Sequence, residues 1–422
     1  MPARPPVADW VAASASAAVG QRSLGDPSRL FPLYPPLLEG CPATSTAAMQ
    51  YPLEIDYDYA RVPAGLFRQP PLAGLERWAP LLPPLMPGLS LGEGGTPLIA
   101  SARLGRWLGL DGPLWLKDES RNPTWSHKDR LNLCVVSAAL AVGAPGIAVA
   151  SSGNHGAAAA AYAARAGLPA VVFTSPAAQP AFRHFLAALG CHIVIVPAEE
   201  RWPALRRFVA ATGFMPASNL TRFHTGNPFG PEGYKTIAYE LFAALGERLP
   251  ATVVVPTGYG ELLYGLAKGF RELIRCRLAA RMPRILSAEP AVRGPLAEAR
   301  RRNVAAAEVA GPDSLAAGIA CTVGGFRGLA ALSDGGDALL FGEATLREAA
   351  DRLAREGLWQ EYSGAAGIAA LHEARRRGAR IEEPAVAILT SSGLKEIPAA
   401  ASDIPHYDPA SLDRLIDRFR TR

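Results

Sequence analysis

Lysine is almost absent from this chain: there are five among 422 residues, against 38 arginines. Charge as a whole is sparse, at 19% of residues with a formal net of +5. No dense Lys/Arg run is interleaved with aromatics, so a nucleic-acid partner gains no support. Cysteine is scarce and odd in number. Cys41, Cys134, Cys191, Cys276 and Cys321 are widely scattered, which disfavours a disulfide framework and fits a reducing compartment. No basic stretch followed by an apolar one opens the sequence, and no uninterrupted apolar run is long enough to cross a bilayer. The expected setting is the cytoplasm, with no membrane partner. Where arginine does the ordinary surface work, a retained lysine invites a chemical explanation, because an amine can lose its proton and attack a carbonyl. Lys128, in Asn122-Pro-Thr-Trp-Ser-His-Lys-Asp-Arg130, is the first residue to consider in that role.

Apolar residues make up 49% of the chain, enough for a large core divided into two lobes plus extensions. Residues 1–88 are rich in proline and alanine, punctuated by Pro35-Pro36, Pro70-Pro71 and Pro83-Pro84, and read as an N-terminal extension. From Leu91 onward, short β-branched runs alternate with alanine-rich helical stretches. The runs are Gly146–Ala150, Ala170–Thr174, Ile193–Val196, Thr252–Val255 and Val386–Leu389. Such alternation predicts an α/β fold with parallel sheets covered on both faces. Ligands in these folds sit at the carboxyl ends of strands, against helix N-termini. Three turns stand at such places. Ser151, Ser152, Gly153, Asn154 and His155 follow one strand and offer free N–H groups and short polar side chains to an anion. Thr257-Gly-Tyr-Gly-Glu-Leu262 follows another; its glycine spacing does not match a dinucleotide fingerprint but suits a monophosphate. Thr390, Ser391 and Ser392 end the last strand with three hydroxyls. Taken singly, each turn is equally an ordinary cap or tight turn.

In combination and in this order, the lysine and the three turns resemble the fold-type II pyridoxal-phosphate (PLP) enzymes of the tryptophan synthase β-like group. Within that group the sequence is most similar to the threonine synthase family. Leu91-Gly-Glu-Gly-Gly-Thr-Pro-Leu98 resembles its L-G-E-G-x-T-P-L signature. Leu116-Lys-Asp-Glu119, Asn122-Pro-Thr124 and Ser126-x-Lys-Asp-Arg130 resemble its lysine motif. Cys41-Pro and Leu53–Asp58 also resemble a family N-terminus whose second cysteine is missing here, so no metal is expected. The resemblance implies a two-lobed, three-layer fold. Residues 89–145 and 225–422 would form the large PLP-binding domain, and 146–224 a smaller mobile one. It implies Lys128 as the Schiff-base lysine and Asn154 as the partner of the cofactor's phenolic oxygen. Ser126 and Ser151–His155 would bind the substrate carboxylate. Thr257, Gly258, Tyr259, Gly260, Glu261 and Leu262 would cup the cofactor phosphate, with the Thr390 hydroxyl at the pyridine nitrogen. Lys235, in Glu232-Gly-Tyr-Lys-Thr236, could reach the substrate, whereas Lys117, Lys268 and Lys395 are expected in salt bridges or helix-end contacts. The remaining histidines, including His224, are expected on the surface or in loops. A homodimer is the family's common state.

Several residues depart from the family pattern. Trp125 and His127 stand where it has glycine and phenylalanine, and Gly230 stands where an arginine would clamp a substrate phosphate. Glu261 would repel the cofactor phosphate unless its side chain points away along the helix. The expected activity is elimination or replacement at Cβ or Cγ of an amino acid, as in threonine synthase. β-Elimination by an ammonia-lyase or dehydratase, and cysteate synthase-like β-replacement, need no γ-phosphate clamp. A PLP-binding sensor without catalysis is the alternative from another class.

Overall fold

The computed structural model describes residues 7–68, 73–396 and 416. The Pro70-Pro71 pair and nearly all of the sequence beyond Glu396 therefore lie outside the described residues. Near the start, β1 (Ala18–Ser23), β2 (Leu30–Phe31) and β3 (Leu53–Tyr57) form an antiparallel sheet in the order β2-β1-β3. Strand β3 alternates: Leu53, Ile55 and Tyr57 are buried while Glu54 and Asp56 are half-buried, as the two-residue period of a one-sided sheet requires. Phe67 and Trp78 continue this layer onto Tyr239 of the body, with ring centroids 5.3 and 5.1 Å away.

The chain then lays down β4 (Leu98–Ser101), α1 (Ala102–Trp107), β5 (Leu114–Asp118) and α2 (Lys128–Ala141). A second sheet follows: β6 (Ile147–Ala150), α3 (Asn154–Arg165), β7 (Ala170–Thr174), α4 (Pro180–Ala188), β8 (His192–Ile195), α5 (Arg201–Thr212) and β9 (Met215–Pro216). Its four strands are parallel, in the order β8-β7-β6-β9. The chain returns through α6 (Gly230–Ala244), β10 (Thr252–Pro256), α7 (Glu261–Arg275), β11 (Arg284–Pro290), α8 (Pro295–Arg302), α9 (Phe326–Ala331), β12 (Asp337–Phe341), α10 (Glu343–Ala354), α11 (Tyr362–Arg376) and β13 (Ala385–Leu389). These strands join β5 in a six-stranded sheet ordered β12-β11-β10-β13-β5-β4, parallel except at the β4 edge. Every residue of β10 and β13 is buried, which is why Thr252–Pro256 and Ala385–Leu389 read as unbroken apolar runs. Helices α6 and α7 pack backbone to backbone. A Cβ on Gly265 would lie 2.6 Å from Tyr234 Cβ, and one on Gly269 would lie 2.4 Å from the Lys235 carbonyl oxygen.

Two buried charge networks tie these layers together. In the first, the fully buried Arg130 on α2 donates from Nε and Nη2 to Glu119 at 2.7 and 2.9 Å, and from Nη1 and Nη2 to Glu240 at 2.6 and 2.8 Å. Lys117 donates to Glu240 at 2.6 Å, and the Thr96 hydroxyl donates to Glu119 at 2.6 Å. In the second, Lys268 and Lys235 share Glu232 at 2.7 and 2.8 Å, Lys235 also meets Glu272 at 2.9 Å, and the Tyr57 hydroxyl donates to Glu232 at 2.9 Å. Burial pushes the Glu232 and Glu240 carboxyls up, but Lys235 and Lys268 in one case, and Arg130 and Lys117 in the other, outweigh it and hold both below the usual range. Their contribution to stability is therefore present above the unfolded value of about 4.3 and is lost as pH falls through the lower folded values. Replacing Arg130 by Met leaves the buried Glu119 without a cation and Glu240 with Lys117 alone. It is expected to cost about 3–5 kcal/mol in urea unfolding at neutral pH, with the deficit shrinking as the carboxylates protonate on acidification.

Candidate active site

Lys128 opens α2 at the point where its loop is strapped to the end of β13. His127 donates its backbone N–H to the Thr390 carbonyl at 3.0 Å, and Ser392 donates to the Trp125 carbonyl at 3.1 Å. Ser126 and Ser391 form an isolated antiparallel bridge. Asp129 accepts from the Thr124 N–H and hydroxyl at 2.8 and 2.7 Å, closing the loop on itself. Trp125 takes up φ 61°, the left-handed region that the glycine of the family pattern would occupy without strain. Its indole is half exposed and leans on Phe185 of α4 at 5.8 Å. Burial pulls the Lys128 amine below its ordinary value, with Glu261 and Cys321 pulling it partly back. Its Nζ lies 5.4 Å from the Tyr234 ring centroid.

Three histidines feel the charge of this amine: His127, His155 and His224, the last in a loop, as expected for it, but buried there. Burial first, and positive neighbours second, hold His127, His155 and His224 well below the ordinary histidine value. The His127 Nδ1 sits 3.1 Å from the Thr390 carbonyl, which can only accept, so Nδ1 carries a proton, and burial keeps the ring neutral. His224 stacks on Tyr259 at 4.3 Å and 8°, and Trp202 at the start of α5 closes over both at 6.3 and 5.5 Å.

The turn between β6 and α3 brings Ser151–His155 to a helix N-terminus. Ser152 is already engaged by the Ser175 hydroxyl at 3.3 Å and by Arg201 at 3.1 Å, while Ser151 and Gly153 bond each other locally at 3.2 Å. The turn between β10 and α7 places Gly260 at φ 86°, backed against Gly328. The first N–H groups of α7 have no carbonyl a turn behind them and are open to an anion. The Thr257 hydroxyl instead donates to the Val255 carbonyl at 2.8 Å. Glu261 does not point away along its helix. Its Oε1 is turned against Gly226, where a Cβ would lie 2.3 Å from it, and burial raises its pKa despite Lys128 and Arg327. Cys321, unmarked in the sequence, flanks Gly258 and Tyr259, and burial pushes its thiol up to about 12. Lys235 is not brought into this site; Glu232, Glu272 and the Tyr57 ring at 3.8 Å enclose it. Lys395, expected in a salt bridge or a helix-end contact, ends a short 3-10 helix and is also brought in: its Nζ donates to Asn154 Oδ1 at 2.6 Å.

These residues fit a bound pyridoxal phosphate. The amine is half-buried and lowered in pKa, and the turns after β6 and β10 each open a helix N-terminus. Among the described residues, Ser126 Oγ, His155 Nε2, His224 Nδ1, and the Nε and Nη1 of the fully buried Arg327 have no hydrogen-bond partner. Buried polar atoms are normally satisfied, so such a cluster marks a ligand position. Gly260→Ala adds a Cβ 2.8 Å from the Gly328 Cα at a left-handed φ. It is expected to lower stability by at least about 1–2 kcal/mol in chemical denaturation and to weaken phosphate-dependent cofactor binding.

Residues 89–392 match the family described as pyridoxal-phosphate dependent enzyme. The threonine synthase of Methanosarcina acetivorans is 29% identical over 376 residues, 87% of this chain and 91% of the relative. The threonine synthase of Mycobacterium leprae is 33% identical over 340 residues, 78% of this chain and 89% of the relative. Maize serine racemase superposes with a TM-score of 0.60 over 77% of this chain and 93% of its own, a likeness of fold at 21% identity. The fold is thus the α/β architecture of fold-type II PLP enzymes, with its parallel-rich sheets. The match over most of the chain and the lysine-centred site agree: this chain belongs to the pyridoxal-phosphate-dependent enzyme family, as a PLP-dependent lyase of the threonine synthase-like type.

Proposed function

We propose that this enzyme eliminates or replaces a leaving group at Cβ or Cγ of a small amino acid, as a threonine synthase does with O-phosphohomoserine, and that Lys128 carries the cofactor. The observation behind the reading is the Lys128 amine itself, half-buried and depressed in pKa at the head of α2, where its loop is strapped to the end of β13. When bound, pyridoxal phosphate supplies the electron sink that acidifies the substrate's Cα. Lys128 would hold the cofactor and, as a free amine, would move protons at the substrate's Cα and Cβ. The N–H groups and hydroxyls of Ser151–His155 bind the α-carboxylate at the positive end of α3, and Ser126 adds its unpartnered hydroxyl. Asn154 would bind the phenolic oxygen, Thr257–Leu262 would hold the phosphate, and the neutral Thr390 hydroxyl would pair with the ring nitrogen, which suits elimination over transamination. Neutral His127, His155 and His224 add no cation beside the amine and so leave it free to act as a base. In this reading residues 146–224 are the mobile domain, closing on a large domain of 89–145 and 225–422. We place the protein in the cytoplasm as a homodimer acting on a free amino acid, a setting that its five free cysteines support.

Gly230 favours a second reading, β-elimination. Its Cα faces Leu131, whose Cγ would lie 2.8 Å from an added Cβ, so the position cannot carry a phosphate-clamping side chain without repacking.

Purified protein with added PLP should show a visible absorption band that borohydride shifts and Lys128→Ala abolishes; a colourless wild type would defeat the reading. A panel of O-phosphohomoserine, O-phosphoserine, serine, threonine and diaminopropionate, read as phosphate, ammonia or 2-oxo acid release, then separates the alternatives. Ammonia and 2-oxo acid without phosphate are the outcome Gly230 points to. Threonine formed from O-phosphohomoserine would overturn that argument, and inertness to all five would favour a sensor.

A further inference from the structure

A second lysine belongs to this site. Lys395, six residues beyond β13, donates to Asn154 Oδ1 at 2.6 Å, while Asn154 Nδ2 donates to Glu361 Oε2 at 2.8 Å and the Ser391 hydroxyl donates to the same oxygen at 2.7 Å. The chemistry of the partners fixes the amide: an ammonium can only donate and a carboxylate only accept, so Oδ1 faces Lys395 and Nδ2 faces Glu361. An amide nitrogen has two hydrogens. One is committed to Glu361, and the other remains for a ligand. The two clamping groups come from the end of β13 and the start of α11, whereas Asn154 begins α3 in the other sheet's layer.

We propose that Lys395 is a positioning residue: with Glu361 opposite it, its ammonium locks the Asn154 amide so that one Nδ2 hydrogen faces the cofactor's phenolic oxygen, and it lends that oxygen a positive charge one amide away. The assignment rests on the reading of Asn154 given above. Desolvation brings the Lys395 pKa down to about 8, with Glu361 and Asp129 opposing it. His127 faces it as a neutral ring, and Glu396, pushed up to about 7 by burial, accepts from the Tyr362 N–H beyond Glu361. The ammonium is therefore present below about pH 8 and discharges above it.

The test is a pH titration of the visible band and of PLP affinity in the wild type, Lys395→Met and Glu361→Gln, each with a melting temperature measured without cofactor. Lys395→Met should weaken PLP binding about tenfold at pH 7 and abolish the wild-type loss of affinity above pH 8. It should also raise the band's acid–alkaline transition by about half a unit or more, because a cation favouring the deprotonated form has gone. Glu361→Gln should move the same transition downward. Opposite shifts cannot arise from loosening alone, and Glu361→Gln keeps the question answerable if Lys395→Met does not fold. A wild-type band with both variants' transitions unmoved overturns the Lys395 assignment and leaves the PLP reading standing. A wild type with no band that borohydride shifts removes both.

Discussion

The Arg130 guanidinium is the constraint on which the site depends. It spends its donors on Glu119 and Glu240 and reaches the Thr236 hydroxyl at 2.8 Å, so one planar fork sets α2 against β5 and α6. The Thr96 and Asn122 side chains complete the cage by bonding Glu119, which fixes the loops at either end of β4 and β5. Lys128 lies two residues before Arg130 on the same helical turn. The Lys128 amine is thereby held in place by a charge network whose members bond one another. Burying charges is costly, and a network of this kind is tolerable only when every member is paired. The pairing explains why the residues of the early Gly-Glu-Gly-Gly-Thr and Lys-Asp-Glu stretches occur together with Lys-Asp-Arg.

Much of this was legible in the sequence. The five β-branched runs all form strands; four of them, all but the half-exposed β8, are buried parallel strands that need continuous apolar stretches, a pattern that survives without knowledge of neighbours. The strands that went unmarked include β5 and β11, buried but broken by Lys117 and Asp118 and by Glu289, and two of another kind. β3 lies in the proline-rich region and buries only alternate residues, and β12, Asp337–Phe341, is half-buried along most of its length, so neither carries a continuous signal. The lysine and the three turns stood out through order and residue type. The walls between them did not.

His224, Cys321 and Arg201 reach the site from segments far apart in sequence, and nothing local distinguishes a buried histidine in a loop from an exposed one. Lys235 and Lys395 show the same limit from both directions. Each sits in a motif-like stretch, and only the three-dimensional inventory of carboxylates assigns them: Glu232 and Glu272 capture the first, while Asn154 receives the second. Glu261 is similar, since the rotamer that turns its carboxylate onto Gly226 depends on a glycine 35 positions away.

The contact between α6 and α7 has a consequence for the width of the site. Tyr234, beneath the Lys128 amine, belongs to α6, while the glycine turn that would receive the phosphate leads directly into α7. Gly265 and Gly269 let the two helical backbones touch, so they act as a ruler for the separation of amine and anion cradle. A single methyl group added at either glycine would be felt as a change in reach between the Lys128 amine and the Gly258–Gly260 turn, though both glycines sit inside the helix pair. Selection on substrate size in such an enzyme can therefore act on residues buried in a helix pair, out of sight of the pocket they calibrate.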